Sequence, residues 1–281
     1  MATCLVTGGA GFIGSHLVDR LIEANHAVVV IDNETTGSRR NLHKDAIYIN
    51  GDVAKVEELR LAFEYPIDVV FHVAGQASIA HSFDAPVDDL TTNVTGTVNV
   101  LQLCLEHRVP RLLYASSMTV YGRPNQSPVD EEEPCKPISY YGITKYAAER
   151  YVLATGLRDD LDFPFDVTAL RMFNVYGARQ RLDNPYQGVL GFFLGCVLRG
   201  DPIPVFGDGS QPATLSILMT WRMDGCRRGQ ARTPSARSTI WATGPASRSQ
   251  NWQWSQRKHL GTMEHPTRTC PAPYVRAINA T

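Results

Sequence analysis

Apolar positions in the first 211 residues follow two alternating patterns. Six runs, TCLVTG (3–8), AVVVID (27–32), AIYING (46–51), DVVFHVAG (68–75), RLLYASS (111–117) and DVTALRMFNVYG (166–177), are apolar throughout rather than at every second position. Parallel strands covered on both faces read this way. Between them, Ile13, Leu17 and Leu21 keep the period of a helix, as do Val94, Val98, Leu101 and Leu105. Strands alternating with helices predict an α/β fold, a doubly wound parallel sheet with right-handed crossovers. Proline and glycine increase from about Gly177 to Gly209, which predicts a change of architecture there, and no repeat or low-complexity segment interrupts the pattern. After Gln211 both periods stop.

Composition sharpens that break. Overall the 281 residues, 43% hydrophobic and 20% charged, are ordinary for a globular chain, but the net charge of -1 hides a split. Residues 1–211 hold 17 Lys+Arg against 26 Asp+Glu, whereas residues 212–281 hold 10 against 2 and all four tryptophans, Trp221, Trp241, Trp252 and Trp254. One reading of such a tail is a basic arm for nucleic acid. No run of 18 apolar residues is present, so no membrane partner is expected. Met1 leads straight into TCLVTGG without a basic stretch or a cleavage site, and the six cysteines are scattered with no CxxC pair. Reduced thiols in the cytoplasm are expected, not a disulfide framework, a zinc site or a secretory signal.

The first run ends in VTGGAGFIGSHL. Gly9, Gly11 and Gly14 satisfy G-x-G-x-x-G, and Gly8, Gly11 and Gly14 satisfy G-x-x-G-x-x-G. Such glycines permit a tight turn, close backbone approach to a pyrophosphate and close packing of helix on sheet, while the helix start offers N–H groups to the anion. Asp32 ends the second run, 18 residues past Gly14, where a carboxylate binds adenosine ribose hydroxyls and repels a 2′-phosphate. NAD is therefore expected over NADP. Asp52 and Val53, at the end of the third run, are expected beside the adenine.

SYYGITK places Tyr141 one helical turn before Lys145, so the two share a face. A tyrosine acting as a base near neutrality needs a shift of roughly 3 units, about 4 kcal/mol. A cation ~4 Å away at an effective dielectric near 20 supplies about that much. Lys145 is such a cation, and Ser117, ending the fifth run, is placed to hydrogen-bond the same reacting oxygen. His72 and His81 read better as a strand-end and a loop histidine than as acid–base groups, and DEEE (130–133) as a solvated acidic loop rather than a metal site.

These stretches, with VFHVAGQAS, NVTGTVNVL, SSMTVYG, RMFNVYG and VFGDGSQ, make residues 1–211 resemble an extended short-chain dehydrogenase/reductase of the NAD-dependent epimerase/dehydratase family. The resemblance implies a Rossmann-type NAD-binding domain over 1–176 and the start of a small substrate lobe over 177–211. It implies NAD held by Gly8, Gly11, Phe12, Ile13, Gly14, Asp32, Asn33, Asp52, Val53, Ala74, Tyr141 and Lys145, with Ser117, Tyr141 and Lys145 as the catalytic set. It implies a structural or substrate-contacting role for Asn93, and substrate contacts from Ser117, Asn174, Gln187, Val205 and Phe206. Relatives also dimerise through the helices matching about 88–107 and 140–156, so a homodimer is expected. Dehydratases of the family usually carry Asp-Glu after the serine or threonine, and decarboxylases a glutamate before VYG. Here Met118 and Thr119 stand there, and neither transfers a proton usefully. What remains is a 4-epimerase-like reaction on a nucleotide sugar, a UDP-hexose foremost. The rivals are a non-catalytic dinucleotide-binding regulator on the same fold, against which the intact Ser117, Tyr141 and Lys145 speak, and another nucleotide-sugar-modifying enzyme of the family, a dehydratase, decarboxylase or reductase.

In such proteins FGDGSQ continues Thr-Arg-Asp-Phe-Ile-Tyr-Val-Asp-Asp-Val, the arginine binding the nucleotide diphosphate. Here Pro212 to Trp221 reads PATLSILMTW. Permitted codons for Ala213–Trp221, read one base earlier, spell Arg-Asp-Phe-Ile-Tyr-Leu-Asp-Asp-Val. Residues 212–281 are thus expected to be out of frame and poorly ordered, with at most short helices. The substrate lobe is then incomplete and the family's last strand missing. This explains the charge, the tryptophans and the lost periodicity together, where a nucleic-acid arm explains the charge alone, so no nucleic-acid partner is expected.

Overall fold

The structure, a computed structural model, describes residues 1–125, 129–182 and 188–203, and beyond them only the backbone of Leu215–Ile217 and Arg237–Trp241. Its main sheet contains β1 (Thr3–Thr7), β2 (Ala27–Asp32), β3 (Ile47–Asn50), β4 (Val69–His72), β5 (Arg111–Ser117) and β6 (Asp166–Met172). The helices are α1 (Phe12–Glu23), α2 (Val56–Arg60), α3 (Ile79–Asp84), α4 (Pro86–Leu90), α5 (Gly96–Glu106), α6 (Tyr140–Gly156) and α7 (Val189–Arg199). The sixth apolar run divides at Phe173, where the chain leaves the main sheet and forms β7 (Asn174–Tyr176).

Strand order is β3-β2-β1-β4-β5-β6, all parallel, as the alternating pattern predicts. Alternate residues of each strand supply two separate cores. On one face Cys4, Val6, Val28, Val30 and Phe71 pack on Leu17, Val18 and Leu21 of α1. On the other, Leu5, Val29, Ile31, Val70 and Leu112 pack beneath Leu59, Val100, Leu103, Cys104, Ala148 and Val152 of α2, α5 and α6. The order reverses between β1 and β4, and the crevice beyond the ends of those strands is where such sheets bind ligands.

Two details differ from the sequence reading. A π-helical turn, Thr91–Thr95, joins α4 to α5. Its extra residue rotates the buried stripe, which runs through Asn93, Thr97, Val100, Leu101 and Cys104 while Val94, Val98 and Leu105 are half-buried. Past Gln211, where at most short helices and no last strand were expected, the backbone forms β8 (Leu215–Ile217), parallel to β7, and β9 (Arg237–Trp241), parallel to β6. The free edge of β6 templates a further strand, and Thr239, Ile240 and Trp241 suit one. The rest of 212–281 lies outside the described residues.

Candidate active site

The loop after β1 turns at Gly8, whose φ of 71° suits glycine. Its amide donates to the Ile31 carbonyl at 2.8 Å, and the Gly11 amide donates to the Gly8 carbonyl at 3.1 Å. A β-carbon at Gly8 would lie 2.8 Å from the backbone of Ala74 across the crevice. Gly11 caps α1 without any side-chain bond, so the helix start, with Phe12 and Ile13, opens toward that crevice. This bare cradle is what a pyrophosphate needs.

Asp32 closes the cradle. Its Oδ2 accepts from the Ala10 amide at 3.0 Å and its Oδ1 from the Glu34 amide at 2.8 Å. Burial raises its carboxyl above the usual range, and those amide bonds oppose the rise. The Asn33 side-chain amide donates to Asp52 at 3.1 Å, and the buried Val53 accepts at its carbonyl from Asn99 of α5 at 2.9 Å. Glu34 escaped the sequence reading. It has a φ of 58° and accepts from Tyr48 at 2.6 Å, Arg39 at 2.8 Å and Asn50 at 3.1 Å. Burial and the bond to Glu34 push the Tyr48 hydroxyl up to about 12.

Ser117 ends β5, and Ser139 caps α6 by accepting from the Gly142 amide at 3.1 Å. The two elements face each other, so that Ser117 acts on the Tyr141 hydroxyl from across that interface. Ser117 Oγ also accepts from the Thr119 hydroxyl at 2.9 Å and from its amide at 3.3 Å. With both lone pairs taken, its own proton is left to be donated, and offering it to Tyr141 would favour the phenolate. Burial raises the Tyr141 hydroxyl, and Ser117 counters this. Lys145, 5% exposed, holds its ammonium 4.4 Å above the centre of the Tyr114 ring. Burial pulls it down to about 7, against the upward pull of Asp89 and Glu149.

Beneath this pair lie polar groups that the periodicity treats as ordinary positions. Asp89 Oδ2 accepts from Thr144 at 2.6 Å, and its Oδ1 accepts from Gln76 at 2.7 Å and Asn93 at 3.1 Å. Among the described residues, Asn93 Oδ1 is the buried side-chain atom left without a partner. It lies 2.9 Å from where a Gly75 β-carbon would stand, and that point is 3.6 Å from Lys145 Nζ. An acceptor without a donor at the crevice, beside a bare glycine, fits a cofactor group that brings the donor.

His72, at the end of β4, is buried between Thr7 at 2.7 Å and Thr97 at 2.9 Å. Thr7 Oγ1 accepts from the Val73 and Ala74 amides, while Thr97 donates to the Asn93 carbonyl at 2.7 Å. His72 therefore accepts at Nδ1 and donates from Nε2, and burial together with Lys145 holds it down at about 3. It is a structural histidine, as expected. His81 lies on α3, not in a loop, 2.6 Å from Asp88. Nor is DEEE a wholly solvated loop. Glu133 is buried, accepting from the Asn125 amide at 2.8 Å and from its side chain at 2.7 Å, because that turn needs an acceptor. No cluster of metal ligands occurs among the described residues. Asn174 opens β7 beside Leu215, half-buried, whereas Gln187, Val205 and Phe206 lie outside the described residues.

The model of the NAD dependent epimerase/dehydratase family matches residues 4–213. A putative UDP-glucose 4-epimerase of Methanocaldococcus jannaschii is 39% identical over 209 residues, 74% of this chain and 67% of that protein. The UDP-glucose 4-epimerase of Thermotoga maritima, solved with UDP-glucose, superposes with a TM-score of 0.73 at 35% identity, over 77% of this chain and 70% of the other. The Thermus thermophilus UDP-glucose 4-epimerase, solved with NAD, gives 0.71 at 34% identity, over 77% and 70%. The chain thus spans about two thirds of the length of its curated relative.

Proposed function

The chain belongs to the NAD-dependent epimerase/dehydratase family, and we propose that it acts there as a nucleotide-sugar 4-epimerase, with a UDP-hexose as substrate. The observation that carries this is the Ser117–Tyr141–Lys145 set with Met118 and Thr119 beside it. Thr119 directs both its hydroxyl and its amide at Ser117, so it positions the serine and has no proton to give the sugar.

The glycine cradle, Asp32, Asn33, Asp52, Val53 and Ala74 would hold NAD, which would supply the hydride acceptor and donor. Tyr141 takes the proton of the sugar's 4-hydroxyl and gives it back after the sugar has turned over. Lys145 stabilises the phenolate as a buried cation, and Ser117 hydrogen-bonds the same oxygen. Groups placed this way contribute ~10²–10⁴-fold each to proton transfer. Asn174, Gln187, Val205 and Phe206 are assigned to the sugar nucleotide. Incubation of a chain with the reading frame restored with UDP-glucose and NAD tests the reading: UDP-galactose is the expected product, and conversion of UDP-glucuronate to a pentose instead would overturn it.

The family match stops at residue 213, two residues past the point where the periodicity fails. That coincidence supports an out-of-frame reading of 212–281, which leaves a chain that binds NAD with little or no turnover. Translating the shifted frame of the coding DNA across this stretch tests it. Family sequence is expected to continue there, and unrelated sequence would overturn the reading.

Assembly as a homodimer is supported by one face of the helical pair. Val87 is 74% exposed, Leu90 50%, Ile143 48% and Tyr151 53%, on α4 and α6. Apolar groups so placed suit a second copy, and a strictly monomeric mass at micromolar concentration would count against it. Cys104, Cys135 and Cys196 are free thiols, in keeping with the cytoplasm. No helix among the described residues is long and apolar enough to cross a membrane.

A further inference from the structure

We propose that Asp89 is a positioning residue for the Tyr141–Lys145 pair: its buried carboxylate clamps the helix carrying that pair and supplies the negative charge that keeps the Lys145 ammonium protonated. The side chain has no solvent exposure and uses both oxygens. Thr144, adjacent to Lys145 on α6, donates to Oδ2 at 2.6 Å. Gln76, from the segment after β4, donates to Oδ1 at 2.7 Å, and Asn93, from the π-helical turn, donates to the same oxygen at 3.1 Å. Asn93 also donates to Thr144 at 3.2 Å and to the Gln76 carbonyl at 3.2 Å. One carboxylate thus joins the three segments that border the reacting groups.

The ionisable groups around Lys145 and Asp89 come from five elements. His72 on β4 is neutral, held between two threonine hydroxyls. Tyr114 on β5 offers a ring face. On α6, Tyr141 is the group that Lys145 serves, and Glu149 is already paired with Arg171 at 2.6 Å. On α3, His81 is taken by Asp88 at 2.6 Å. Asp89 on α4 is the acidic group acting on Lys145 that no cation contacts directly. Its pull on the lysine is the leading one upward, ahead of Glu149. A buried lysine so balanced near 7 changes charge with modest changes nearby.

The inference rests on the proposed role of Tyr141 and Lys145, but its test does not need turnover. Asp89→Asn removes the charge and keeps the shape. Its oxygen still accepts from Gln76 and Asn93. Its new amide donates to the Thr144 hydroxyl, which turns its own proton to the Tyr141 carbonyl, already 3.1 Å away. The titration of Lys145 is followed by NMR of lysine labelled with ¹³C at Cε, its signal identified by loss in Lys145→Arg. In Asp89→Asn the midpoint is expected to fall by about one pH unit, with thermal unfolding little changed. Asp88→Asn, which removes an exposed charge next door, is expected to leave it in place. Should Asp89→Asn not fold, Thr144→Val tests the same link. Stripped of its hydroxyl donor, Asp89 binds a proton more readily, and the Lys145 midpoint is expected to fall by a smaller amount. A folded variant of either kind with an unmoved midpoint, or an equal fall in Asp88→Asn, would overturn the proposal.

Discussion

Gly14 sits so close to Gly8 that no side chain fits between them: a β-carbon at Gly14 would overlap the Gly8 carbonyl oxygen and lie 2.8 Å from the Gly9 α-carbon. The contact is with backbone, which cannot swing away as a side chain can. Helix α1 is thereby seated directly on the phosphate turn, and its first amides stay aimed at the crevice.

Gly14→Ala is therefore expected to push α1 off the turn. Overpacking of this kind typically costs 1–3 kcal/mol, and NAD affinity is expected to fall about tenfold or more, since 1.4 kcal/mol is a factor of ten. Calorimetric titration with NAD together with urea unfolding checks both. An alanine variant with parental affinity would remove the glycine cradle from cofactor binding.

Cofactor choice follows from the acids at the end of β2. Asp32 is fixed by two amides, and Glu34 stands two residues on, held by Tyr48, Arg39 and Asn50. Neither welcomes a 2′-phosphate. NAD is expected to bind at least about tenfold more tightly than NADP, roughly 1.4 kcal/mol. Equal affinities in parallel titrations would sink the assignment of Asp32.

Chemistry is tested at Tyr141. In a chain with the reading frame restored, Tyr141→Phe is expected to lower kcat by ~10²–10⁴-fold while NAD affinity hardly moves. The phenyl ring keeps the packing, and only the proton carrier is lost. Near-normal turnover would mean that another group transfers the proton.

Much of this was legible in the sequence because it rests on local rules. The apolar runs, the glycine spacing and the one-turn interval from Tyr141 to Lys145 each express a backbone constraint. The buried polar groups did not announce themselves. Asp89, Glu149 and Arg171 sit on stripes that periodicity assigns to the core, and their partners come from distant segments: Arg171 lies 22 residues from Glu149. The one available hint was that Glu149 continues the Tyr141–Lys145 interval by another turn. Glu34 was hidden for a different reason, since its left-handed backbone carries no sequence mark in a residue other than glycine.

Acid stability is expected to depend on His72. Its folded-state value is depressed to about 3, below the ordinary 6.5. Between those values the unfolded chain binds a proton that the folded chain refuses. Stability is full above about 6.5 and is lost as pH falls toward 3, at about 1.4 kcal/mol per pH unit for one proton. In His72→Gln the urea-unfolding free energy is expected to fall less steeply between pH 6.5 and 4 than in the parent. Parallel curves would show that His72 is protonated in both states or in neither.

The buried ion pair gives the largest expected stability effect. Arg171 contacts Glu149 at 2.6, 3.1 and 3.2 Å, with the glutamate fully buried. Ser116 donates to Glu149 at 2.5 Å, and Arg171 donates to the Tyr121 hydroxyl at 2.8 Å. Strand β5 thus meets α6 at Ser116, which holds Glu149, while the next residue, Ser117, acts on Tyr141. Arg171→Met leaves the carboxylate buried without its cation, a change that typically costs 3–5 kcal/mol. Adding Glu149→Leu removes the stranded charge, and the double variant is expected to regain most of that loss. By contrast Arg111→Ala, at a half-exposed pair whose atoms are 3.5 Å apart, is expected to cost under about 1 kcal/mol. Urea unfolding of the four proteins orders them. If Arg171→Met were no worse than Arg111→Ala, the Glu149–Arg171 pair would not be what joins β5, β6 and α6 beneath the site.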